Sequence, residues 1–343
     1  MLTKFLLFRV VAVLVKYLYY TCLRPWNPEY PRPSVHTFLS HVKCPSFPVP
    51  FSSFLLYNKQ QEQVQGGLTV HQYLFFIGDF PIRAYGVMLA LAIISGASVA
   101  YFLLKKDGRE WHEHIVDFSI TVAIAGLIGA RLWDVFFFDW HYYGNHLLEI
   151  PFVWQGGMAI QGGVVLGTLA GYWYLRKHNI DFWAFADIFA PALILAQSVG
   201  RMANLFNGDA FGHPTGGNFG ILYPESTLAY RTYGNQPLWP AEVWEGQIDI
   251  LIFVALLLFG SFKHAKGQVF VLYAILYSTA RFFLEFLRGD YVNVTLGLKS
   301  AQMTSLIAII VGICVFIYLG YLEKKNQKVL VDIESTVKTK KRK

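Results

Sequence analysis

Seven stretches of the chain run apolar with few charges: 82–104, 115–138, 156–175, 182–206, 247–262, 268–287 and 301–322. About 20 apolar residues at 1.5 Å each cross the roughly 30 Å hydrocarbon layer of a bilayer. The pattern therefore predicts an all-α, polytopic membrane protein with a seven-helix core, of which 247–262 is the shortest member. Residues 2–23 are also apolar but carry Lys4, Arg9 and Lys16. That extra segment reads equally as an eighth span, an interfacial helix or a signal-like segment. Residues 24–78, rich in Pro, Ser, His and Gln, read as a loop or linker. The predicted organisation is an N-terminal extension (1–78), a membrane domain (79–322) and a basic tail (323–343).

Composition agrees with the pattern. Of 343 residues, 55% are hydrophobic and 15% charged, against about 25% charged in soluble domains, which excludes a water-soluble globule. Cys22, Cys44 and Cys314 are scattered, so neither a disulfide framework nor a zinc site is indicated. The net charge of +7 would suit nucleic acid if it were clustered. Instead it alternates. Lys105, Lys106, Arg109, then Arg176, Lys177, then Lys263, Lys266, and finally the tail lysines follow every second span, while the intervening loops are nearly bare. The positive-inside rule then places the C-terminus in the cytoplasm, and no nucleic-acid partner is expected.

Ionisable residues inside spans are costly, and each is a functional candidate. Arg131 and Asp187 lie within the second and fourth spans. Arg201, Asn204, Asn207 and Asp209 fall in the run Gly200-Arg-Met-Ala-Asn-Leu-Phe-Asn-Gly-Asp-Ala-Phe-Gly212. Arg281, Glu285 and Arg288 are spaced four and then three apart, which on a continuous helix puts them on one face. By the predicted topology Arg201 and Arg288 approach the outer leaflet. Paired guanidinium groups suit phosphate, so an outer-leaflet phospholipid headgroup is the natural ligand. The competing reading is an internal Arg281–Glu285 ion pair. Gly156, Gly157, Gly162 and Gly163 surround Gln161, where close helix packing is favoured over ligand contact. Tyr85 reads as an interfacial anchor.

The 200–212 run resembles the signature of bacterial prolipoprotein diacylglyceryl transferases. Similar pieces recur in order: Pro81-Ile82-Arg83-x-Tyr85-Gly86, Gly129-Ala-Arg131, Gly156-Gly157-Met158 through Gly163, Asp187-x-x-Ala190-Pro191, and Tyr273, Tyr277, Arg281, Glu285, Arg288, Asp290. The resemblance covers about 75–322. It implies transfer of diacylglycerol from phosphatidylglycerol to the lipobox cysteine of prolipoproteins, without metal or cofactor, at the outer leaflet of the bacterial inner membrane. It further implies Arg201 and Arg281 as phosphate ligands, with Glu285 orienting Arg281 and Asp209 among the catalytic groups. Substrate contacts would come from Tyr85, Gln161, Gly162, Gly163, Asn204, Asn207, Gly212 and Arg288. Two departures stand out. Gln161 replaces a family histidine, and Gln236-Pro237-Leu-Trp239-Pro240-Ala-Glu242-Val-Trp244-Glu245 lacks another. Glutamine is no general base, which leaves Asp209, Tyr85 or solvent for that role. Residues 1–65 or so lie outside the family pattern, as a misassigned start would leave them. Alternative readings are a transporter or channel for an anionic solute and an inactive lipid-binding paralog.

Overall fold

The computed structural model describes residues 68–77, 80–153, 157–290, 294–295 and 297–341. The apolar segment 2–23 lies outside them. Seven long helices form where the apolar pattern places them: α1 Ala84–Asp107, α2 Ile115–Trp133, α3 Ile160–Lys177, α4 Phe182–Asn207, α5 Ala241–Gly260, α6 Gln268–Leu284 and α7 Ser300–Lys341. Five are long and apolar enough to cross a bilayer: α1, α2 with its flanking turns, α4, α5 and α7. α6 is apolar but has 17 residues, and α3 carries four glycines in 18. Exposed Ile94, Leu251 and Ile317 sit on the outer faces, where a soluble protein would place charges. The protein is an all-α, multi-pass membrane protein.

Three short sheets decorate the bundle. β1 (Leu68–Thr69) pairs parallel with β4 (Ile221–Leu222), β2 (Tyr73–Ile77) forms a hairpin with β3 (Phe80–Arg83), and β5 (Val294–Thr295) pairs with β6 (Leu298–Lys299). Part of the expected linker is thus strand. The basic stretch after 322 also continues α7 as helix up to Lys341.

Helices pair mainly as α2 with α3, α1 with α4, α4 with α5, and α6 with α7. Glycine sets the first contact. A Cβ built on Gly162 would stand 2.1 Å from the Gly129 carbonyl oxygen, and Gly163 faces the Gly126 carbonyl. Backbones in a membrane approach this closely only through small residues. Gly162→Ala is therefore expected to force α2 and α3 apart and to cost roughly 1–3 kcal/mol or more, read as a lower midpoint of thermal unfolding in detergent.

Two intramembrane charges prove to be braces. Arg131 donates from Nε to the Ile150 carbonyl (2.8 Å), from Nη1 to that of Gly157 (3.0 Å) and from Nη2 to that of Glu149 (3.1 Å). It thereby ties the Glu149, Ile150 and Gly157 backbones to α2. Asp187 of α4 accepts from the Gly267 (2.6 Å) and Phe270 (2.9 Å) amides, so a side chain of one helix caps the N-terminus of another. Above that cap, Tyr273 donates to Gln197 Oε1 at 3.0 Å and Arg201 donates to Tyr277 at 2.9 Å. α4 and α6 thus run side by side in the same direction.

Candidate active site

The arginines converge at the far ends of α4 and α6. Arg201 Nη2 lies 2.6 Å from Glu245 Oε1, while Arg281 Nη1 lies 3.4 Å and Arg288 Nη1 3.8 Å from Glu245 Oε2. Glu245, buried in the second turn of α5, is the common counter-ion of all three. Glu285 is the second: its Oε2 sits 2.8 Å from Arg281 Nη2 and 4.0 Å from Arg288 Nε. Arg288 also donates to both carboxylate oxygens of Asp290. A buried charge without a partner is prohibitively expensive, which is why so many opposite charges gather here. Among the described residues Arg201 Nε is nevertheless buried without a hydrogen-bond partner. Such a donor carries an unrecovered desolvation cost until an acceptor reaches it.

Arg281, Glu285 and Arg288 do come together, though not as one helical stripe. α6 ends at Leu284 with Glu285 as its C-cap, and Arg288 lies beyond, in a turn stitched to the loop after α4. Gly212 N–H donates to the Trp239 carbonyl, His213 N–H to that of Leu287 and Gly289 N–H to that of Phe211, each at 3.0 Å. A Cβ on Gly212 would come within 2.5 Å of the Trp239 oxygen. Gly212 therefore acts by letting these backbones meet, which in turn aims Arg288.

A cavity of about 410 Å³ opens nearby, lined by Tyr85, Arg83, Phe206, Asn207, Asp209 and Ser226 among others. Asn207 donates to Asp209 Oδ2 at 3.0 Å, Ser226 donates to Gln72 Oε1 at 2.6 Å, and Gln72 Nε2 donates to the Asn207 carbonyl at 3.4 Å, tying the residue before the β2–β3 hairpin to the end of α4. Burial raises the Asp209 carboxyl above the usual aspartate range, partly offset by the Asn207 hydrogen bond. The Asn204 carbonyl accepts from the amides of Gly208 and Asp209, so the left-handed Gly208 (φ 72°) closes α4.

Gln161, exposed in the first turn of α3, and Gly162 and Gly163, packed on α2, stand apart. No hydrogen bond or ion pair among the described residues joins them to the arginines, and the contacts of the two glycines fit helix packing. Glu245 is the residue that sequence reasoning passed over. The available signal was a second acid three residues after Glu242, just ahead of an apolar run.

Residues 72–318 match the family described as prolipoprotein diacylglyceryl transferase. The chain is similar to phosphatidylglycerol--prolipoprotein diacylglyceryl transferases of several bacteria. That of Staphylococcus haemolyticus is 36% identical over 247 residues (71% of this chain, 86% of the relative). That of Acaryochloris marina is 37% identical over 258 (74% and 92%), and that of Clostridioides difficile 36% over 253 (74% and 96%). With the family pattern spanning most of its length and the signature arginines gathered in one cluster, this chain belongs to the prolipoprotein diacylglyceryl transferase family.

Proposed function

We propose that this protein transfers the diacylglyceryl group of phosphatidylglycerol to the lipobox cysteine of prolipoproteins. One observation carries the reading: three guanidinium groups meet at a buried site that still holds an unpartnered donor, Arg201 Nε. In the reaction the cysteine sulfur attacks an sp³ glycerol carbon and the carbon–oxygen bond breaks. Its electron pair leaves with glycerol phosphate, and the thiol proton passes to a base. The phosphate gains negative charge as it departs, so fixed guanidinium donors shielded from water favour the transition state over the bound lipid. Arg201 and Arg281 hold the phosphate, Glu285 orients Arg281, and Arg288 adds positive charge. Tyr85 and Asn207 line the 410 Å³ cavity with Asp209 and would meet the headgroup there, while Asn204 and Gly212 fix the backbone beside it. Membership of the family and the lysine and arginine bias of alternate loops support seven spans in a bacterial inner membrane, a cytoplasmic C-terminus and a site facing the outer leaflet.

Asp209 is the candidate base: it lines the cavity, and burial raises its carboxyl. A base works deprotonated, so the raised pKa moves the ascending limb of the pH–rate profile upward from the usual aspartate position. Purified protein, phosphatidylglycerol and a lipobox peptide are expected to give a thioether product by mass spectrometry. Intact protein that forms none between about pH 6 and 9, which brackets the thiol pKa of about 8.5, overturns the function. Asp209→Asn is expected to remove the carboxylate limb, and an unchanged profile would exclude Asp209 as the base.

A further inference from the structure

From sequence Lys299 is one more outer-loop charge. In the fold, β6 brings it onto the end of α6. Its Nζ donates to the carbonyls of Glu285 (2.9 Å) and Arg288 (2.5 Å) and lies 3.7 Å from Glu285 Oε1. Its own amide donates to Gln302 Oε1 (2.9 Å), and Gln302 Nε2 reaches the Phe282 carbonyl (3.4 Å). The last carbonyls of a helix and of the turn after it have no partner within the helix. Here Lys299 of β6 and Gln302 of α7 clasp three of them. The same ammonium touches both backbone ends of the 285–288 turn and lies beside the carboxylate of its first residue. That turn carries Glu285, the partner of Arg281, and Arg288, the partner of Glu245.

We propose that Lys299 is a positioning residue of the transferase site, fixing the turn from which Glu285 and Arg288 act on the phosphate-binding arginines. The proposal rests on the transferase reading above. Lys299 need not touch lipid. Without its ammonium the turn keeps its stitches to the loop after α4 but loses the tether at Glu285 and Arg288, and Glu285 is left to draw Arg281 and Arg288 toward itself. Charge stabilisation that grows in the transition state then suffers more than ground-state binding. A misplacement of about 1 Å in such a constellation can cost on the order of a hundredfold in rate.

The test compares Lys299→Met, which keeps the length and loses the donors, with Lys299→Arg, which restores donors for both carbonyls. Lys299→Met is expected to lower kcat by roughly ten- to a hundredfold while KM for phosphatidylglycerol stays within about twofold. Lys299→Arg should recover most of the loss. A kcat within about twofold of wild type for Lys299→Met, or an equal loss in both variants that follows their melting temperatures, overturns the proposal. A second arm needs no turnover. In arginine-15N-labelled protein the Nε–H resonances of Arg281 and Arg288 should move in Lys299→Met, and unchanged resonances refute positioning. Wild-type protein that transfers nothing would defeat the transferase reading, and the resonances would still decide the role of Lys299.

Discussion

Arg201→Ala is expected to reduce transfer by at least about 10³-fold, with Arg281→Ala close behind. Removing one donor that faces developing negative charge typically costs 10²–10³ in rate. Arg201 does more than donate, because it is also the nearest cation to Glu245. Its loss leaves that carboxylate free to pull on Arg281 and Arg288, so the remaining donors are both fewer and displaced. Arg201→Lys should rescue little. A single ammonium cannot hold Glu245, meet the Tyr277 hydroxyl and still present a donor where Nε now stands. Membrane insertion and the unfolding midpoint of both alanine variants, measured beside product formation, separate chemistry from folding. Near-normal transfer in either alanine variant would remove that arginine from the phosphate site.

Glu245→Gln is expected to be the most destabilising isosteric change in the cluster. It deletes the one carboxylate shared by three guanidinium groups. Breaking a buried pair from one side costs about 3–5 kcal/mol, since the surviving charge stays buried. The loss should be partly reversible in a telling way. Glycerol phosphate, added at millimolar concentration, should raise the unfolding midpoint of Glu245→Gln more than that of wild type, because an anion that binds only the folded state stabilises it by mass action. An equal shift in both proteins would mean that the anion binds elsewhere.

Much of this was legible from the chain. Apolar runs located all seven helices, because a run of about 20 apolar residues has few alternatives. The spacing of Arg281, Glu285 and Arg288 announced an ion cluster. What escaped was whatever depended on distant segments meeting. α5 begins at Ala241, ahead of the apolar run at 247, because Glu242 and Glu245 break the hydropathy pattern although both are buried, Glu242 against the Tyr223 hydroxyl and Glu245 against the arginines. The partnership of Glu245 with Arg201 joins two helices and leaves no periodic trace. The signature flags Gly212 without its structural job, and Lys299 is mute in sequence. One serves a close approach of three backbones, and the other a set of carbonyls that exist as acceptors only once α6 has ended.

The cap between α4 and α6 works as a ruler. Asp187 pins the start of α6 at Gly267, and Arg201 and Arg281 each stand fourteen residues further along their own helices. At 1.5 Å per residue, each guanidinium-bearing position is carried about 21 Å along its own helix from that pin. The meeting of the two arginines at Glu245 thus depends on helix length measured from a common origin at the opposite end of the bundle. Adding or deleting a single residue between 267 and 281 would shift Arg281 by about 1.5 Å and swing it about 100° around its axis. The chemistry at one end of the bundle is therefore gauged from the other, and residues that never meet a substrate hold the phosphate grip in register.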